Sequence, residues 1–438
     1  MITTAEVFLW GTRIGVIYQE KPEEAARFEY DKKFQKSGIE LSPFMMPLSD
    51  RVYSFPDLIR VDSFHGLPGL CADSLPDKFG NAIISQWLTR QGRSEESFTA
   101  IERLCYTGSR GMGAIEYVPS TRTDDFNSEV DVTEMVRLAS DVLSNRNITV
   151  IDKEQAGLAQ LIEIGSSAGG ARAKAVIAWN ENTNEIKSGQ INAGEGFDYW
   201  LIKFDGVKKN GDYGIDDPKQ HTLTEYAYYL MALDLGINME ECRIFEKDGF
   251  NHFMTKRFDR VNGQKVHMQT LAALKHIDYN KAGLFSYEQC AECARKLDIG
   301  ADGIKQLYKR MTFNVFSGNC DDHVKNISFL MDRKGRWEFS PAYDLTFAYH
   351  PDHKYMSHHQ MLVNGKRMHI SDEDLIESGL VMGLSREFCN NTIEKTKLVV
   401  GNWFDYAQKA GITDERANII QTGIFNSVMG GSGSFFIK

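Results

Sequence analysis

Between Leu158 and Arg260 apolar and polar residues alternate in short runs, LAQLIEIG, ARAKAVIAW, FDYWLIKF and HFMTKRFDR, whereas from about Ala282 onward apolar residues recur every three to four positions. A period of two marks half-buried strands and a period near 3.6 marks amphipathic helices. The order predicts a curled antiparallel sheet, interrupted by the helix TEYAYYLMALDLG, and then a largely helical part built from GIKQLYKRMTFNVFSG, SREFCNNTIEKTKLVVGNWFDYAQKAG and a last helix after Thr413. A β-rich lobe followed by an α-rich lobe leaves a cleft between them. Ahead of both, EVFLWG, RIGVIY and IEYVPS read as strands around one strong helix, in which Leu75-Pro76-Asp77 opens LPDKFGNAIISQWLTRQG and Gly92 ends it. A polar stretch from Ser120 to Asp131 and a helical run from Val132 to Leu143 mark a soft boundary.

With 438 residues the chain can bury large cores without disulfides or structural metal. Its 42% hydrophobic and 25% charged residues exclude a disordered or fibrous chain. A net charge of −10 argues against DNA binding through the chain's own field, so a DNA role needs a partner. Seven cysteines and no leader-like N-terminus suggest reduced thiols and a cytoplasmic protein, and no run approaches the length of a membrane span.

Chemistry concentrates in CDDHVKNIS, where Asn326 follows Asp321 by five positions. That spacing puts a base and a magnesium-binding amide on one loop, as in a kinase catalytic loop. Asp344, in SPAYDLTF, follows one hairpin later and is placed as a second hard oxygen donor, suited to Mg²⁺ with ATP phosphates. Upstream, Ser166, Ser167, Ala168, Gly169, Gly170, Ala171, Arg172 and Lys174 lie in a glycine-rich turn between strands that can bring backbone N–H groups to phosphates. Lys203 on the strand WLIKFDG can reach the α/β-phosphates, and Glu225 on the next helix can pair with it. Backbone groups of Lys256, Arg257 and Phe258 would read adenine at a hinge.

Each piece has a plainer reading: a hairpin turn for the glycines, a surface strand residue for Lys203, a first-turn acid for Glu225, caps or solvated turns for Asp321, Asp322 and Asp344. Their order and spacing together favour the catalytic one.

The motifs SSAGGARAKA, GNCDDHVKN and PAYDL, with GLPGLCADSLPDKFGN and YTGSRGMGAIEYVP near the start, resemble the HipA-like serine/threonine kinases, toxins of type II toxin–antitoxin operons. The resemblance covers nearly the whole chain. It implies an α+β, two-lobed protein-kinase-like fold: an N-terminal α/β subdomain at 1–125, a β-rich N-lobe at 126–260 and an all-α C-lobe at 261–438. It implies Asp321 as the base, Asn326 and Asp344 as Mg²⁺ ligands, Lys203 and residues 167–174 on ATP, and the Lys256, Arg257 and Phe258 backbone as the hinge. Lys256 departs from the acidic or neutral residue common there, so its side chain carries no expectation. His323 supports the loop or is a hydrogen-bonded core histidine. Ser167, with Ser166 as the alternative, matches the family's autophosphorylated serine. The implied partners are a small helix-turn-helix antitoxin, DNA through that antitoxin, and a protein substrate, of which an aminoacyl-tRNA synthetase is the family's known example. A silent corepressor and a small-molecule kinase of the same architecture are the alternatives.

Two further features receive the plainer reading. Cys290 and Cys293 sit in a helical run without a second pair, and His350, His353, His358 and His359 match no zinc spacing and read as a polar loop near the cleft mouth. The YAYYL run reads as core.

Overall fold

The computed structural model describes residues 2–121, 130–143, 172–190, 192–207 and 220–429. The LAQLIEIG run and the Gly/Ser tail lie outside them.

Five strands form the first sheet: β1 (Thr4–Leu9), β2 (Thr12–Tyr18), β3 (Arg27–Tyr30), β4 (Tyr53–Ser54) and β5 (Ile115–Val118), in the order β4-β3-β2-β1-β5. Alternation along β1 buries Ala5, Val7 and Leu9 against Leu70, Ile101 and Leu104. The helix Lys78–Arg90 starts where Asp77 caps it and turns Phe79, Ile83, Ile84 and Leu88 to the other side. There they share one core with the helix Val132–Leu143 and with Ile177, Trp200, Ile202 and Met254 of the second sheet. A helix of the first unit is thereby built into the floor of the second.

That second sheet, antiparallel throughout, comprises β6 (Lys174–Asn180), β7 (Glu185–Ser188), β8 (Asp198–Lys203), β9 (Cys242–Lys247) and β10 (Phe250–Lys256) in the order β7-β6-β8-β10-β9. The helix His221–Asp234 packs on β9 and β10 and buries Ala227, Tyr228 and Met231, so the expected core face of YAYYL is held by Ala227 and Tyr228, while Tyr226, Tyr229 and Leu230 are only partly covered.

After the short ribbon β11 (Arg260–Val261) and β12 (Gln264–Lys265) comes a three-stranded sheet, β13 (His267–Thr270), β14 (Ser328–Met331) and β15 (Trp337–Phe339). It corrects the expectation of an all-α third part. The hairpin ISFLMDRKGRWEF lies inside this part, and HMQT, four residues that run straight into a helix, is too short for a two-residue period to stand out. The catalytic-loop segment leads into β14 and Asp344 follows β15, so this sheet holds the two segments side by side. The helices of this part are Leu271–Lys275, Tyr287–Lys296, Ala301–Ser317, Asp372–Val381, Arg386–Gly401, Trp403–Lys409 and Asp414–Met429, with a long irregular segment between Phe339 and Asp372. Among the described residues no helix is long and apolar enough to cross a membrane.

Candidate active site

Strand register brings two lysines together. Lys174, the first residue of β6, lies opposite Lys203, the last of β8. Like charges in such a pair repel and need compensation. Lys203 Nζ donates to Glu225 Oε1 at 2.6 Å and to Asp344 Oδ1. Lys174 Nζ stands 3.3 Å from Asp77 Oδ2. Burial alone would lower the pKa of Lys203, but Asp344 and Glu225 outweigh it and hold the ammonium above the ordinary lysine value. For Asp344 burial acts upward, and Lys203, with Lys174 and Arg172, outweighs it and keeps the carboxyl well below its usual range. The Asp77–Lys174 pair differs: burial dominates, raising Asp77 and lowering Lys174, with each partner's charge opposing.

Asp344 has φ +57°, a left-handed conformation that Asp and Asn tolerate better than other non-glycine residues and that recurs at functional sites. Its neighbour Tyr343 joins the two acidic segments, because its hydroxyl donates to the Lys325 carbonyl at 2.7 Å and also bonds Ser328.

The consecutive aspartates of CDDHVKN diverge. Asp322 is buried and accepts from the Tyr287 hydroxyl at 2.9 Å and the Gln360 amide at 2.7 Å, with His359 Nδ1 at 3.2 Å. Asp321, with 27% of its side chain exposed, lines the cleft. Asn326 Nδ2 donates to the Asp321 carbonyl at 2.9 Å, closing the loop on itself. His323 packs its ring 5.6 Å from that of Tyr279 and holds Nε2 3.8 Å from Asp321 Oδ1, while its buried Nδ1 makes no hydrogen bond. It is a neighbour of the carboxylate, not a fully bonded core histidine.

These groups converge on a cavity of about 220 Å³. Arg172, Lys174, Lys203, Glu225, Lys256, Arg257, Phe258, Asp321, His323, Asn326 and Asp344 all line it, together with apolar Leu201, Met239, Phe253 and Met268. Ser166, Ser167, Ala168, Gly169, Gly170 and Ala171 lie outside the described residues. In the segment expected to read adenine through its backbone, the amides of Lys256 and Arg257 are already committed to the carbonyls of Glu241 and Tyr199, both at 2.8 Å, so neither is left to donate to a base, and Lys256 Nζ pairs with Asp198. The Arg257 side chain turns away into a buried cluster on Asp259. Cys290 and Cys293 are buried on a helix, and His359 lies under the catalytic loop against Asp322, away from the polar surface expected for it.

Sequence reasoning missed Asp77, Asp322 and Lys325. The N-cap position of Asp77 was the one local signal available, and it pointed to helix formation rather than to the cleft.

A β-rich unit docked on a second sheet whose lysines face acidic loops across one cleft is the architecture of a two-part HipA-type chain. Residues 5–118 match the HipA N-terminal domain and residues 166–422 the HipA-like C-terminal domain, and the chain belongs to the HipA-like family. HipA of Shewanella oneidensis MR-1, solved with HipB and operator DNA, shares the fold: TM-score 0.68 at 16% identity over 97% of each chain. "Putative kinase Y4mE" of Sinorhizobium fredii is 26% identical over 216 residues, 44% of this chain and 50% of that protein. A "putative kinase" of Haemophilus influenzae is 27% identical over 159 residues, 32% of this chain and 46% of that one. The chain spans about half the length of these curated relatives.

Proposed function

We propose that this chain is an ATP- and Mg²⁺-dependent serine/threonine protein kinase, the toxin of a type II toxin–antitoxin pair. The observation that carries the reading is the buried Lys203, bonded to Glu225 and Asp344 in the cleft that Asp321 and Asn326 also line. The family membership, the kinase names of the relatives and the HipA–HipB assembly of the structural neighbour support it.

In this reading Asp321 accepts the proton of a serine or threonine hydroxyl as its oxygen bonds the γ-phosphorus and the bond to the bridging β-γ oxygen breaks, releasing ADP. Lys203 binds the α/β-phosphates, and Glu225 keeps it in place. Arg172 and Lys174 add positive charge beside them. Because Asn326 Nδ2 is spent on the Asp321 carbonyl, its Oδ1 is the atom left to face a cation, with the Asp344 carboxylate as the second donor. Mg²⁺ takes most of its ligands from water and phosphate, so two protein donors suit it. Bound there, the ion would neutralise phosphate charge.

The test separates base from ligand. Asp321→Asn should bind Mg·ATP nearly as the wild type does and lose about 10²–10⁴-fold in transfer, while Asp344→Asn should weaken binding itself, both read by calorimetry and phosphate transfer. Equal binding losses in the two variants would sink the assignment. Peptide mapping of the same proteins checks self-modification: phosphate at Ser167, or at Ser166, in the wild type and none in Asp321→Asn.

A further inference from the structure

Asp77 belongs to the LPDKFGN segment of the first unit, and its two oxygens do different things. Oδ1 accepts the Gly80 amide at 2.6 Å and caps the helix Lys78–Arg90. Oδ2 faces Lys174 at 3.3 Å, makes no hydrogen bond, and belongs to a side chain only 4% exposed on the cleft wall. Helix capping explains the first oxygen and leaves the second, buried on the cleft wall, to the Lys174 ammonium.

Lys174 sits across the β6–β8 pair from Lys203, whose ammonium is already held by Glu225 and Asp344. We infer that Asp77 is a positioning residue for nucleotide binding: its buried carboxylate, 3.3 Å from Lys174 Nζ, holds that side chain in place on the cleft wall, so the N-terminal unit completes the nucleotide site. The inference rests on the kinase reading above.

The charged groups around the lysine are Asp77 from the helix cap, Lys203 from β8 and Asp344 from the segment after β15, with Arg172 on the same cleft wall and Lys325 of the catalytic loop acting on Asp77. Burial draws the proton off Lys174, while Asp77 holds it on. Without the Asp77 charge, Lys174 loses its proton at a lower pH, and a polyanionic nucleotide loses that contact there.

Calorimetric titration of the full chain with Mg·ADP, from pH 6.5 to 9.5, tests this. Asp77→Asn and Asp77→Ser keep a capping oxygen and remove the charge. Both should bind roughly tenfold more weakly near neutrality, with the alkaline fall-off moved to lower pH, and Asp77→Glu should recover part of the loss. In the double variant with Lys174→Met, Asp77→Asn should add little to the Lys174→Met loss. Wild-type affinity and an unmoved alkaline limb in a folded Asn or Ser variant, or full additivity in the double variant, would overturn the inference and leave the kinase reading intact. Absence of nucleotide binding in the wild type would overturn both.

Discussion

Asp259 is a fully buried carboxylate that meets all its bonding capacity at once. It accepts from Arg257 Nε and Nη2 at 2.8 and 2.7 Å, from Arg260 Nη1 at 2.8 Å and from the Gly113 amide at 2.7 Å. Burial would raise its pKa, but the two guanidinium groups outweigh burial and hold it well below the carboxylate range. Because the folded pKa lies below the unfolded value of about 4, the group stabilises the fold above that pH, and the contribution fades as pH falls through the folded pKa. Asp259→Asn leaves two buried guanidinium groups short of an anion and should cost about 3–5 kcal/mol near neutrality. In urea unfolding the gap to the wild type should narrow below about pH 4; a gap that stays constant or widens in acid would show that the cluster does not carry this charge coupling.

Among the elements, the contact between residues 69–73 and the helix Leu271–Lys275 ties the first unit to the third part. The Gly69 amide donates to His276 Nε2 at 2.9 Å, and Asp73 accepts the Thr270 amide at 2.6 Å and its hydroxyl at 2.8 Å. The approach is so close that a Cβ at Gly69 would lie 2.1 Å from the Ala273 oxygen. Gly69→Ala should therefore destabilise by about 1–3 kcal/mol through overpacking, with faster hydrogen exchange in the helix Leu271–Lys275. Exchange unchanged there would mean that the backbone absorbs the methyl. Burial pulls the His276 pKa down to about 4, as an imidazole that accepts a hydrogen bond requires. Since the unfolded value is near 6.5, this contact stabilises above that pH and weakens as pH falls from about 6.5 through 4; His276→Gln should flatten that part of the stability profile.

At the scale of the molecule, a net charge of −10 opposes association with a phosphate backbone, since sequence-independent binding requires many Lys or Arg contacts and the release of condensed counterions. Gel shifts with an operator fragment should show no retardation by this chain alone and a supershift once a basic helix-turn-helix partner is present. Tight, salt-sensitive binding by the isolated chain would assign it a DNA surface of its own.

That Lys203, Glu225, Asp321, Asn326 and Asp344 belong together was legible before any fold was known, and the structure places all five on one cleft, because the spacings that singled them out are local. The helix Val132–Leu143 and the strands β6, β8 and β10 were legible for a similar reason, since periodicity is written in consecutive residues, whereas β7 and β9 of the same sheet went unread. Other features depend on groups far apart in the chain. Asp322 reads as one more loop acid until Gln360, 38 positions on, donates to it; Asp259 reads as one residue of the strand-like run HFMTKRFDR, but the strand ends at Lys256 and Gly113 reaches Asp259 across 146 positions. Asp77 reads as a helix cap until strand register sets Lys174 against Lys203 and burial makes an unpaired charge costly. Register and burial exist only once the chain is folded, so Asp321, Asn326 and Asp344 could be singled out from local pattern, whereas the residues packed around them emerged only from the packing of one unit on another.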